Sequence, residues 1–237
     1  MFIFPTFLIS FIILVIIQII SSRRVQSALF NLIVGITHSH KFAISVIAIL
    51  FLPGTIIHEL AHLLFAKALL VHTGTIDVLP TFTKGDANIK MGSAEIGVTD
   101  PVRRSIIGVA PILVGIVLIV CLVWLFGGSL DFRQPDFSWW QALILLYVTF
   151  VIGNTFVSSS KDLEGVGGVF VTAVSVVAIV CLLLSITGKF TSESLSQMFN
   201  FIYTERTQAI FYQATLAMLV PLIANLSILG IFKIFKK

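Results

Sequence analysis

Apolar residues fall in long runs along this chain, at about 2–20, 43–71, 104–126, 139–160, 165–187 and 208–232. Crossing the hydrocarbon of a bilayer takes roughly 20 apolar residues in a helix. In lipid, only a helix satisfies its own backbone groups over that distance, closed barrels apart. The pattern therefore predicts an all-α polytopic membrane protein, one bundle of about six transmembrane helices over residues 1–237. The segment 25–37 is shorter, and reads as an interfacial or re-entrant helix or a connection packed on the bundle. Pro53-Gly54 interrupts the second run, a pair that breaks or kinks a helix, so a fresh helical stretch is expected from about Thr55.

Two connections are polar. The stretch at 188–207 reads as a solvated loop. The one at 73–103 carries short β-prone pieces (TIDVL, NIKM, AEIGV) separated by Pro80, Lys84-Gly85-Asp86 and Gly92. That punctuation predicts a short β-hairpin-like loop or small sheet.

Composition supports the membrane class. Of the 237 residues, 57% are hydrophobic and 11% charged, and the mean hydropathy is +1.07. A soluble domain carries about twice that charged share. The formal charge of +4 does not point to nucleic acid, because Lys and Arg sit at the ends of apolar runs. Cys121 and Cys181 lie inside such runs and leave the redox compartment open. Met1–Ile20 has no basic start and a long apolar run, so it reads as a retained helix rather than a cleaved signal. With the N-terminus in the cytoplasm, Lys84, Lys90, Arg103, Arg104, Lys161, Lys233, Lys236 and Lys237 fall inside, as the positive-inside tendency prefers. Arg23, Arg24 and Lys41 oppose that orientation.

The second run contains His58-Glu59-Leu60-Ala61-His62, an HExxH pattern in a helical context. Residues i and i+4 share a helix face, so two imidazoles can bind one Zn²⁺ while the intervening Glu serves as general base. With five His and five Glu in the chain, chance placement produces the pattern roughly 0.002 times. Ionisable residues within a spanning helix are costly and mark functional sites. The structural alternative is two histidines and a glutamate hydrogen-bonded inside the bundle.

Catalytic zinc usually takes a third protein ligand. His72 lies ten residues after His62 with no Gly-bearing turn between. Asp162, at the end of the fourth run, is the better candidate. The second and fourth runs cross in the same direction, which puts His62 and Asp162 towards the same end. Glu164 is the rival ligand.

HExxH in a spanning helix, followed two spans later by Asn154 and Asp162 eight residues apart, resembles the site-2 protease family of intramembrane metalloproteases. That family's second motif reads N-x-x-P-x-P-x-L-D-G, against Asn154-Thr-Phe-Val-Ser-Ser-Ser-Lys-Asp162-Leu163 here. Both prolines are replaced (Val157, Ser159), Lys161 stands for Leu and Leu163 for Gly. The likeness covers a core from about 43 to 164, flanked by helices in 1–24 and 165–237, with no room for a PDZ domain. It implies Zn²⁺ on His58, His62 and Asp162, and a role for Asn154 in holding substrate backbone or a developing oxyanion. It also implies a transmembrane protein substrate and β-structure after the HExxH helix, an edge to which a substrate could add as a strand; the other reading of 73–103 is a surface loop with no contact to substrate.

Other readings stand beside these. Asp162 could neutralise Lys161 at the membrane surface, and Asn154 could bridge helices by hydrogen bonds. His38 and His40 read as interfacial. Ser158–Ser160 lacks the base a serine protease needs. A metal-binding transporter, or a silent relative acting as chaperone or regulator, would use the same ligands without needing Glu59. Substrate identity, oligomeric state and regulation are not written in the chain.

Overall fold

The computed structural model describes residues 3–77, 93–126, 138–156, Asp162, single positions between 167 and 185, and 205–235. Four helices among them are long and apolar enough to cross a membrane. These are α1 (Ile3–Thr37), α2 (His40–Ala68), α3 (Pro101–Phe126) and α5 (Glu205–Phe235). A fifth, α4 (Trp139–Asn154), is apolar but only 16 residues long. The architecture is that of a helical, multi-pass membrane protein, with four long helices rather than six among the described residues. Most of the run at 165–187 lies outside them.

Two expectations about helix boundaries are corrected. Residues 25–37 are the continuation of α1, not a separate element. The polar stretch Ser21-Ser22-Arg23-Arg24 does not break that helix, because its hydroxyls find partners. Ser21 Oγ donates to the Gln18 carbonyl and Ser22 Oγ to that of Asn154. Likewise, α2 runs unbroken through Pro53-Gly54. Backbone groups around a proline in a spanning helix can be satisfied again by nearby side chains. Pro53 itself leaves the Ile49 carbonyl open, and in the same turn Thr55 Oγ1 donates to the Phe51 carbonyl (3.2 Å) and Tyr147 of α4 to that of Leu50 (2.9 Å).

His38, at φ 52°, ends α1, and Ser39 caps α2 by accepting from the Phe42 amide. The THSH motif is thus the turn between two helices, and both its histidines are exposed. Thr73–Asp77 (β1) and Ser93–Ile96 (β2) pair antiparallel, with an irregular register between Thr73 and Ile76. Residues 78–92, where a hairpin turn would fall, lie outside the described residues.

Helices in lipid associate by close packing and interhelical hydrogen bonds, since burial from water no longer drives them together. Both are present. Ile119, Ile152, Phe156, Ala217 and Met218 form one core where α3, α4 and α5 meet, and Ile47, Phe51 and Val151 form another between α2 and α4. Phe11 packs edge-on against Phe211, and Asn225 donates to Ser21 (3.0 Å), so α1 and α5 run parallel along their contact. Six strictly alternating passes would make the first and last helices antiparallel. The observed pairing departs from that order.

Candidate metal centre

Glycine lets α2 approach α4 at the point that matters. A methyl group on Gly54 would lie 2.5 Å from Thr155 Oγ1 and 2.8 Å from the Val151 carbonyl oxygen. One helical turn later on each helix come His58 and Thr155. The His58 Nδ1 lies 2.7 Å from the Thr155 carbonyl oxygen. That carbonyl is available because α4 ends at Asn154, and the last carbonyls of a helix have no intrahelical partner. Had α4 run on towards Asp162, the Thr155 oxygen would have been occupied by its own helix.

The second histidine is held in the same way from another side. His62 Nδ1 lies 2.8 Å from the carbonyl oxygen of Ile107 in α3. A carbonyl only accepts, so each Nδ1 carries the hydrogen, and the neutral form of each ring turns a bare Nε2 lone pair inward. Backbone carbonyls are common partners for the outer nitrogen of a metal-ligating His.

The inward atoms converge. The two Nε2 atoms are 3.1 Å apart, and the Asp162 carboxylate lies 3.3 Å from that of His58 and 3.7 Å from that of His62. Two bare nitrogens and a carboxylate at such distances repel unless a cation lies among them. Bonds of 2.0–2.1 Å in a tetrahedral site imply ligand separations of about 3.4 Å, so the donor set fits an ion of that kind. His58, His62 and Asp162 form a group that could hold a metal ion. His58, Glu59 and His62 are buried, and the Asp162 side chain is 16% exposed. Three protein ligands leave a fourth tetrahedral position of such an ion for a small reactant.

Asp162 reaches the histidines across α3. A methyl group on Gly108 would collide with the Asp162 carbonyl oxygen, so the absence of a side chain there allows the two backbones to touch. Glu164 and Ser158–Ser160 fall outside the described residues. His72 is exposed beyond the end of α2.

Asn154 is fully buried beside this centre. Its Nδ2 donates to Asn225 Oδ1 and to the Phe150 carbonyl, both at 2.8 Å. Its own carbonyl accepts from Ser22 Oγ (2.8 Å) and Gln26 Nε2 (2.7 Å), which ties α1, α4 and α5 together just behind Thr155.

Thr155, Ile107 and Gly108 escaped the reading of the sequence, and Gly54 entered it only as a helix breaker. Their contributions are a carbonyl or a missing Cβ, neither of which belongs to a metal motif. No family model, no curated protein and no solved structure matches the chain, so its chemistry rests on this geometry and on the motif residues themselves.

Proposed function

We propose that the chain is an intramembrane zinc metalloprotease, a distant relative of the site-2 proteases. It would hydrolyse peptide bonds in or near the transmembrane segments of other membrane proteins. The observation that carries this reading is the convergence of the His58 and His62 Nε2 atoms on the Asp162 carboxylate, with Glu59 buried in the same turn of α2. Zinc held there supplies Lewis acidity, which polarises a peptide carbonyl and makes a nearby water easier to deprotonate.

The chain's own groups do the rest. His58, His62 and Asp162 hold the ion, and Thr155 and Ile107 keep both rings in the ligating tautomer. Glu59 takes the proton of the attacking water and returns it to the leaving amine nitrogen. The β1/β2 sheet next to α2 offers an edge on which a substrate can be drawn into extended form. For Asn154, the bonds to Asn225 and Phe150 favour a bridging role over direct contact with substrate. Lys84, Lys90, Arg103, Arg104 and Lys161 belong to the connections at the active-site end, which favours the cytoplasmic side of the cell membrane for that end; Lys233, expected on the same side, falls at the opposite end because α5 runs parallel to α1.

The test pairs metal analysis of the purified protein with cleavage of single-span substrates by wild type and Glu59→Gln. The expected result is one zinc per chain in both, with cleavage by the variant reduced about 10²–10⁴-fold. Equal cleavage by the two proteins refutes the protease reading.

A further inference from the structure

An α-helical carbonyl is normally taken by the amide four residues on. For Ile107 that residue is Pro111, which has no amide hydrogen. Pro111 is buried inside α3, and the Ile107 oxygen it leaves open is the one that His62 Nδ1 meets at 2.8 Å. We propose that Pro111 is a positioning residue for the metal centre, reserving the Ile107 carbonyl for His62 and so setting that ring's tautomer and direction. The inference rests on the metal-site reading above.

The two histidines thereby receive one solution by two routes. His58 uses a carbonyl released by the end of a helix, and His62 uses one released in mid-helix by a proline. Without the second device, the mid-helix carbonyl of α3 facing His62 would already be engaged by its own helix. Pro53 and Pro221 open the carbonyls of Ile49 and Ala217 by the same rule, but neither is the acceptor for a ligating His. They show what proline in these helices does apart from the metal.

The experiment uses the full chain in detergent, stripped of metal and titrated with Zn²⁺ against a chromophoric chelator. Co²⁺ loading reports ligand geometry through its visible spectrum. Pro111→Ala restores an amide at position 111 and removes no helix-forming capacity, so the helix itself is retained. The Ile107 oxygen has two lone pairs and can still be shared, so the expected loss of zinc affinity is about tenfold, the lower end for an outer-shell partner. The Co²⁺ spectrum should shift as well. Pro221→Ala, which loses a helix proline in α5, should match wild type in both.

Wild-type affinity and spectrum in Pro111→Ala overturn the inference while leaving the metal site standing. Equal losses in Pro111→Ala and Pro221→Ala overturn it too, by showing a general loosening of the bundle. Wild-type protein that binds no zinc removes the metal reading itself, an outcome told apart from the others before any variant is compared.

Discussion

His58 Nδ1 lies 2.7 Å from the carbonyl oxygen of Thr155, the first residue beyond the end of α4. This contact joins the metal helix to the helix that leads to Asp162, and it depends on how closely α2 and α4 approach one turn away. At Gly54 an added methyl would press on the Thr155 side chain, which can turn, and on the Val151 carbonyl, which cannot. Gly54→Ala is therefore expected to cost about 1–3 kcal/mol of stability, as overpacking does. It should also weaken zinc binding, because the Thr155 carbonyl is pushed from His58. Thermal unfolding and zinc titration measure the two effects, and wild-type values in both would show that the approach tolerates a methyl.

Gly108 poses a similar question for the third ligand. A methyl there would collide with the Asp162 backbone. Gly108→Ala should thus lower zinc affinity about as much as Asp162→Ala does, within a few-fold. Mutation of the groups that support a metal ligand commonly costs about 10–100-fold in affinity. A double variant no worse than either single one would confirm that both act on the same contact.

Asn154 and Asn225 share a hydrogen bond of 2.8 Å inside the bundle. Such bonds between membrane helices contribute about 0.6 kcal/mol on average and up to about 1.7. Asn154→Ala and Asn225→Ala should show a coupling of that size in a double-mutant cycle on unfolding. If Asn154 only bridges helices, the two variants will lose cleavage activity equally. A far larger loss with Asn154→Ala would assign it the substrate-binding role that the family resemblance implies.

The start of α3 responds to pH. Asp100 accepts from the amides of Val102 and Arg103 at 3.0 Å and pairs with the Arg103 guanidinium at 3.3 Å. The Arg103 amide, and then the Arg103 charge, hold the Asp100 carboxyl below its usual 3.8. A carboxyl depressed by folding stabilises the fold above its unfolded value, and that contribution is lost as pH falls through the folded value. The difference in melting temperature between wild type and Asp100→Ala should be constant near neutrality and shrink in acid. A difference that stays flat down to pH 3 would contradict the cap's charge dependence.

Much of the centre could be read from the chain because ligands are chemical types. His58 and His62 announce themselves by spacing, and Asp162 by its place at the end of the fourth apolar run. The long apolar runs likewise foretold the helices. What failed was continuity. Ser21–Arg24 and Pro53-Gly54 look like breaks in one dimension, yet both helices run on, with hydroxyls bonded to carbonyls of the surrounding turns. The parallel run of α1 and α5 could not be foreseen either, since run order carries no information on which helices touch. Nor could the two carbonyls that orient the histidines, because a backbone oxygen is present at every residue. Only the tertiary fold selects Thr155 and Ile107.

Because both orienting groups are main-chain oxygens, the candidate site constrains Ile107 and Thr155 through their backbone, while their buried side chains answer to packing alone. The residues that cannot drift are Gly54, Gly108 and Pro111, each of which serves by an atom it lacks. A saturation scan would then trace the site as a map of intolerance to gain: added carbon at two positions and an added hydrogen at a third. Relatives too distant to align could be sought by that signature, a glycine four residues before the first histidine and, after a polar loop, a glycine three residues before a proline.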